Sequence, residues 1–158
     1  VKVKKMKKNL IFILLSLVLS LVINCSSEQV KEVDPFEAIN ATLKPARIQG
    51  FGNGAVTVDK AKLADWEKNF LPIVKKVHDE LPAGTKLQVR GNADAEGDAK
   101  VNQEIGLKRA KGIYDLLLKK GFKAEKMVFV SLGEEQAMAG TNANDDGNRR
   151  VNFRVVKE

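Results

Sequence analysis

Disulfides are the first thing this sequence excludes. Its 158 residues hold a single cysteine, Cys25, and a lone thiol closes no internal bridge. Histidine is equally scarce: His78 stands alone, with no second ligand or base spaced to it, and is expected in solvent near the end of a lysine-rich helix. Aromatic residues make up only 6% of the chain, so a core has to be mainly aliphatic. Long apolar runs are also missing. The longest, residues 10–23, is broken only by Ser16 and Ser20. As a helix it rises roughly 21 Å, against a hydrocarbon core of about 30 Å. An excess of one charge is absent from the body of the chain as well. The formal net charge is +7, but Lys2, Lys4, Lys5, Lys7 and Lys8 all precede the apolar run; without them 22 basic residues face 20 acidic ones, a net of +2. A mixed-charge surface calls for no polyanion, so no nucleic-acid partner is expected.

What is present begins with that lysine-led apolar segment, which has the form of a signal peptide over 1–24. Leu21-Val22-Ile23-Asn24-Cys25 resembles a lipobox of the relaxed kind familiar among spirochaetal lipoproteins, with Asn24 in place of the usual Gly, Ala or Ser. The resemblance implies cleavage before Cys25, acylation of its thiol, and a bilayer as partner through the acyl chains. Residues 25–45 are then the lipidated N-terminus and a polar linker with two prolines and no sustained period.

From residue 46 the pattern becomes foldable. Residues 46–51 suggest a short strand closed by Gly52-Asn53-Gly54. A helix capped by Thr57 or Asp59 is expected to run to about Leu81, with Leu63, Trp66, Phe70, Ile73, Val74 and Val77 on one stripe and Pro72 kinking or splitting it. Residues 86–91 alternate as a strand. Residues 99–120 form a second helix, with Val101, Ile105, Ile113 and Leu117 inward and Gly121 at its C-terminal cap. Residues 127–132 and 151–156 supply two more strands around a Gly/Asn/Asp-rich loop. The order β-α-β-α-β-β predicts an α+β sandwich, two main helices on one mixed sheet, over 46–158.

The chemistry concentrates after the second strand. Asp94 lies in the Gly-flanked loop Gly91-Asn92-Ala93-Asp94-Ala95-Glu96-Gly97. Asn102, Gly106 and Arg109, spaced by four and three, share one face of the following helix. The Arg109 side chain leans back toward Gly106, whose missing Cβ leaves room for something to lie there. An anionic acceptor and a fixed cation would flank a solvent-facing groove. That pair suits a ligand carrying both an ammonium and a carboxylate, such as the free end of a diamino acid.

At these residues the chain resembles the OmpA-like peptidoglycan-binding domain, of the type found in peptidoglycan-associated lipoproteins. The family pattern Gly-His-Thr-Asp, then Gly, then Asn-x-x-Leu-Ser-x-x-Arg-Ala stands here as Gly91-Asn92-Ala93-Asp94, Gly97 and Asn102-Gln103-Glu104-Ile105-Gly106-Leu107-Lys108-Arg109-Ala110, without a gap. Val130-Ser131-Leu132-Gly133-Glu134 and Asn148-Arg149-Arg150-Val151 match a later strand and the family's Asn-Arg-Arg-Val. The resemblance covers about residues 48–156. It implies that Asp94 and Arg109 hold the diaminopimelate of a peptidoglycan stem peptide, with Asn102 and Arg149 as weaker candidates. It also implies a protein of the outer membrane, lipid-anchored and facing the periplasm, that holds membrane to cell wall. The departures are Asn92 and Ala93 for His and Thr, a shorter 133–147 loop without the usual Pro, and an acidic position after the first strand that Phe51-Gly52-Asn53 does not fix.

Other classes compete. Asp94, Glu96 and Asp98 alternate like the start of a calcium loop, but Ala99 and Ile105 stand where such a loop needs Gly and Glu; no metal is expected. With Cys25 committed to lipid, no nucleophile–base pair can be assembled, no motif asks for a cofactor, and the chain is expected not to be an enzyme. A stator-type anchor normally carries a true transmembrane helix and would not need a lipobox, so the sequence argues against it. A surface-displayed adhesin using the same domain on host proteins stays open.

Overall fold

The computed structural model describes residues 36–158; the expected signal peptide and Cys25 lie outside them. Helices α1 (Glu37–Leu43), α2 (Lys60–Asn69) and α3 (Leu71–Asp79) precede strand β1 (Thr85–Asn92). Helix α4 (Ala99–Lys119) and strands β2 (Met127–Gly133) and β3 (Val151–Lys157) follow. The sheet order is β2-β1-β3, with β1 parallel to β2 and antiparallel to β3. The fold is thus α+β, helices on a mixed sheet. Among the described residues no helix is long and apolar enough to cross a membrane.

Local chemistry explains most boundaries. Asp59 accepts from the amides of Ala61 and Lys62 at 3.1 and 3.0 Å and starts α2. The expected long helix divides at Phe70, and Pro72 falls in the first turn of α3, where its missing N–H costs nothing. Gly121, at φ +83°, ends α4. Leu87, Val89, Phe153 and Val155 of the sheet meet Trp66, Val74, Ile113 and Leu117 of the helices in one core. Trp66 stacks on Phe153 at 5.8 Å between centroids and donates its indole N–H to Ala46 O.

Four expectations are corrected. The first strand, over 46–51, does not form: Ile48 bridges Val151 and Phe51 bridges Val58, each in isolation. Gly50 at φ +99° turns the chain between them, so the run never lies extended beside β3. The linker assigned to 25–45 folds at its end, because Phe36, Ile39 and Leu43, spaced three and four, pack one face of α1 on the core. Asn40 then grips Val155 on the outer edge of β3, accepting from its N–H at 2.7 Å and donating to its carbonyl at 3.3 Å. Val101 is 52% exposed, since the first half of α4 turns Asn102, Gly106 and Arg109 inward instead. His78 is fully buried. It lies against Phe122, accepts at Nε2 from Lys123 N–H at 3.0 Å and donates from Nδ1 to Asp79 at 2.9 Å. Lys75 and His78 together hold the Asp79 carboxyl below its ordinary range.

Candidate functional site

The loop after β1 is pinned between the other strands. Asn92 N–H donates to Arg150 O and Ala93 N–H to Gly133 O. Asn92, standing where the family has His, is buried and donates from its amide to Asn152 Oδ1 and Arg90 O, so it braces β1 against β3. This fixes Asp94, which is 4% exposed. Its Oδ2 accepts from Arg149 Nη1 at 2.7 Å. Arg149 also donates from Nε to Phe51 O at 3.0 Å and lies 3.9 Å from Asp146.

Arg109 is placed differently from the expectation. It is 1% exposed rather than facing a groove. Its Nε donates to Ala55 O, Nη1 to Asn92 O and Nη2 to Gly52 O, at 2.8, 2.8 and 3.2 Å. The guanidinium lies 5.0 Å from the centre of the Phe51 ring. Burial lowers its pKa to about 10; Asp94 opposes that shift and Arg149 adds to it. The group is still charged at neutral pH. The space expected beside Gly106 is filled by protein: a Cβ there would strike Ser131 Oγ and come within 2.9 Å of Gly91 O. Glycine at this position serves the approach of α4 to β1.

The structure therefore brings Asp94 and Arg149 into contact and sets Arg109 within their field. Asn102 stands apart from the pair, donating to Glu96 O at 3.1 Å and Glu134 Oε2 at 2.7 Å, and so braces the loop. Sequence reading missed the segment 51–55, whose carbonyls engage both arginines; no side chain there announces a role. Beside it a groove of about 310 Å³, lined by Gln49, Phe51, Gly52, Lys62, Asp146 and Arg149, opens against the Arg149 end of the pair.

The three alternating carboxylates diverge onto separate partners. Asp94 meets Arg149, Glu96 accepts from Asn53 at 3.0 Å, and Asp98 caps α4 by accepting from Lys100 and Val101 N–H. Asp98→Ala is expected to lower stability by about 1 kcal/mol, as loss of an N-cap does, while leaving the Asp94–Arg149 pair in place. Thermal unfolding beside a sacculus-binding assay checks both halves.

Comparison with known proteins adds to this geometry. The model of the OmpA family matches residues 57–151. The peptidoglycan-associated lipoprotein of Pseudomonas putida is 33% identical over 73 residues, 45% of this chain and 44% of that protein. The chain thus matches less than half the length of that relative. Among solved structures, the peptidoglycan-associated lipoprotein from Burkholderia pseudomallei superposes with a TM-score of 0.56 at 24% identity, over 78% of this chain and all of the other. The C-terminal domain of Helicobacter pylori MotB gives 0.55 at 19% identity, over 71% and 84%. Both likenesses concern the fold.

Proposed function

The chain belongs to the OmpA family, and from that membership we propose that it is a non-catalytic tether between membrane and cell wall. In this reading Cys25 carries the acyl anchor in the outer membrane, and the folded domain, on the periplasmic side, binds the diamino acid of a peptidoglycan stem peptide. The observation that carries the binding half is the buried Asp94–Arg149 pair with Arg109 behind it. Asp94 is the one buried carboxylate between two guanidinium groups, and solvent-exposed Asp146, 3.9 Å from Arg149, offsets their excess positive charge only weakly. A ligand carboxylate offsets it by joining the Arg149 fork from the adjacent groove, and the ligand ammonium takes a place on Asp94. Arg109 holds the walls through three carbonyls, and Asn102 holds the loop that carries Asp94. Arg149 thus gains weight over the resemblance alone, and Arg109 acts chiefly by positioning.

Asp94→Ala is expected to weaken retention on purified sacculi about tenfold to a hundredfold, the worth of one charge-assisted contact. Arg149→Ala should cost as much, and Asp94→Asn less, since an amide oxygen still accepts. Co-sedimentation with sacculi, with circular dichroism to check folding, measures all three. A folded Asp94→Ala protein that holds sacculi as wild type does would overturn the site, and protease shaving of intact cells would then test the surface-displayed alternative.

A further inference from the structure

Arg149 and Arg150 leave the chain toward different surroundings. Arg149 turns to Asp94, whereas Arg150 donates to Gln136 O at 2.7 Å and lies 3.3 Å from Asn148 Oδ1. Arg90 reaches the same Gln136. It alternates with Leu87 and Val89 along β1, so it stands on the sheet face away from the core, opposite Val130 and Asn152 in the register. Its Nη2 donates to Gln136 Oε1 at 3.0 Å. Two guanidinium groups thus converge on one neutral residue.

Their charges are not compensated. Among the described residues neither Arg90, Arg150 nor the nearby Arg47 has a carboxylate within 4.0 Å. Arg150 is only 6% exposed. Its pKa falls to about 10, through burial first and then the repulsion of Arg47 and Arg90; burial also lowers that of Arg90, with Arg154 adding to it. Arg90 Nε is buried without any hydrogen-bond partner. A role in pinning the 136–148 loop accounts for the bonds of Arg150. It leaves the Arg90 Nε–H donor and the gathering of like charges unexplained, because Arg109, by contrast, spends all its donor nitrogens on carbonyls.

We propose that Arg90 and Arg150, with Arg47 at the rim, form a second anion site that takes a phosphate-class dianion. Tetrahedral oxygens offer acceptors to the remaining Nη–H donors of both guanidinium groups and, with the Gln136 side chain turned aside, to the enclosed Arg90 Nε–H; two negative charges offset the clustered cations. Inorganic phosphate and the phosphomonoester headgroup of a lipid share this chemistry. The site is independent of the peptidoglycan reading, since it uses none of Asp94, Arg109 and Arg149.

The test uses the full chain in neutral detergent, titrated with inorganic phosphate at constant ionic strength. The Arg90 Nε–H resonance and the melting temperature are followed. Wild type should show a saturable shift of that resonance and a melting temperature that rises with phosphate. Arg90→Gln should melt close to wild type without phosphate, because loss of its exposed bond to Gln136 Oε1 is offset by removal of an unpartnered donor and a repulsion, yet bind phosphate at least about tenfold more weakly. Arg47→Gln, at an exposed rim position, should weaken binding without touching the fold, and Lys111→Gln, on the far surface of α4, should change nothing. Dihexanoyl phosphatidic acid binding more tightly than phosphate assigns the site to a headgroup; equal binding assigns it to the phosphate group alone. No saturable shift, equal losses in Lys111→Gln and Arg90→Gln, or a preference for dihexanoyl phosphatidylcholine overturns the proposal. Sacculus retention of Arg90→Gln, expected unchanged, keeps this outcome separate from that of the Asp94 site.

Discussion

Arg109→Ala is expected to lower the unfolding free energy by about 3–5 kcal/mol, a large part of what a domain this size possesses. The guanidinium donates to Ala55, Asn92 and Gly52 carbonyls and is 1% exposed. Truncation takes a donor from each of three carbonyls, of which Gly52 O alone is seen to keep another, Ala55 N–H at 3.1 Å. Gly52 O and Ala55 O, on the more exposed 52–55 segment, regain water if that segment opens; Asn92 O, at the end of the central strand, does not. Removal also strips a cation from Asp94, leaving Arg149 to balance it. Arg109→Lys should recover only part of the loss, since one ammonium on a flexible stem does not span three carbonyls on separate segments. Urea unfolding with an unchanged m-value measures the effect. Stability equal to wild type would mean that the side chain lies open in a groove, as its helical position first suggests. Sacculus binding by this variant is informative only in the fraction that remains folded.

Gly91→Ala should be nearly as damaging. A Cβ at Gly91 would overlap Gly106 O and C and press on Ala110 N. All three are backbone atoms, so no rotamer change relieves the contact and α4 has to leave β1. The expected cost is about 3 kcal/mol or more, at the upper end for overpacking, because Leu87, Val89, Ile113 and Leu117 lose their seating together. Gly106→Ala should cost less. Its first obstacle is the Ser131 hydroxyl, which can turn away at the loss of its bonds to Gln103 O and from Gly133 N–H, and its backbone contact, Gly91 O at 2.9 Å, is far milder than the overlap with Gly106 O at Gly91. Denaturant midpoints for the two variants test the ordering; a reversed order would place the close approach elsewhere.

Both results bear on what could be read from residues alone. The α4 segment was legible because both ends carry local signals, Asp98 before it and Gly121 after it. The spacing from Asp94 to Arg109 was legible as a pattern, and the loop and helix do place the two in one electrostatic neighbourhood. Burial was not legible. A charged residue or a lone histidine is ordinarily at the surface, and the bonds that bring Arg109 and His78 inside come from carbonyls, amides and rings far away in sequence. Gly106 carried two meanings, room for a ligand or room for a strand, and only the position of Gly91 decides between them. Helix α1 was hidden because Phe36, Ile39 and Leu43 span two turns within an otherwise polar stretch. The missing first strand turned on Gly50, where a positive φ overrides an extended pattern on either side.

The grip of Asn40 on Val155 has a mechanical consequence. The chain ahead of α1 joins the sheet beside Val155, which pairs with Leu87, whereas Asp94 follows the other end of β1, where Gly91 pairs with Val151. A pull between the N-terminal segment and a ligand held at Asp94, as proposed above, would therefore run lengthwise along β1 and β3. The hydrogen bonds between antiparallel strands lie across that line, so they are loaded together in shear instead of being unzipped one at a time. Helix α1, seven residues long, is seated on β3 through the Asn40 amide and on the core through Phe36, Ile39 and Leu43. Under rising tension it would peel first, paying out up to about 3.5 Å of chain per residue freed while the sheet and the site at its far end stay intact.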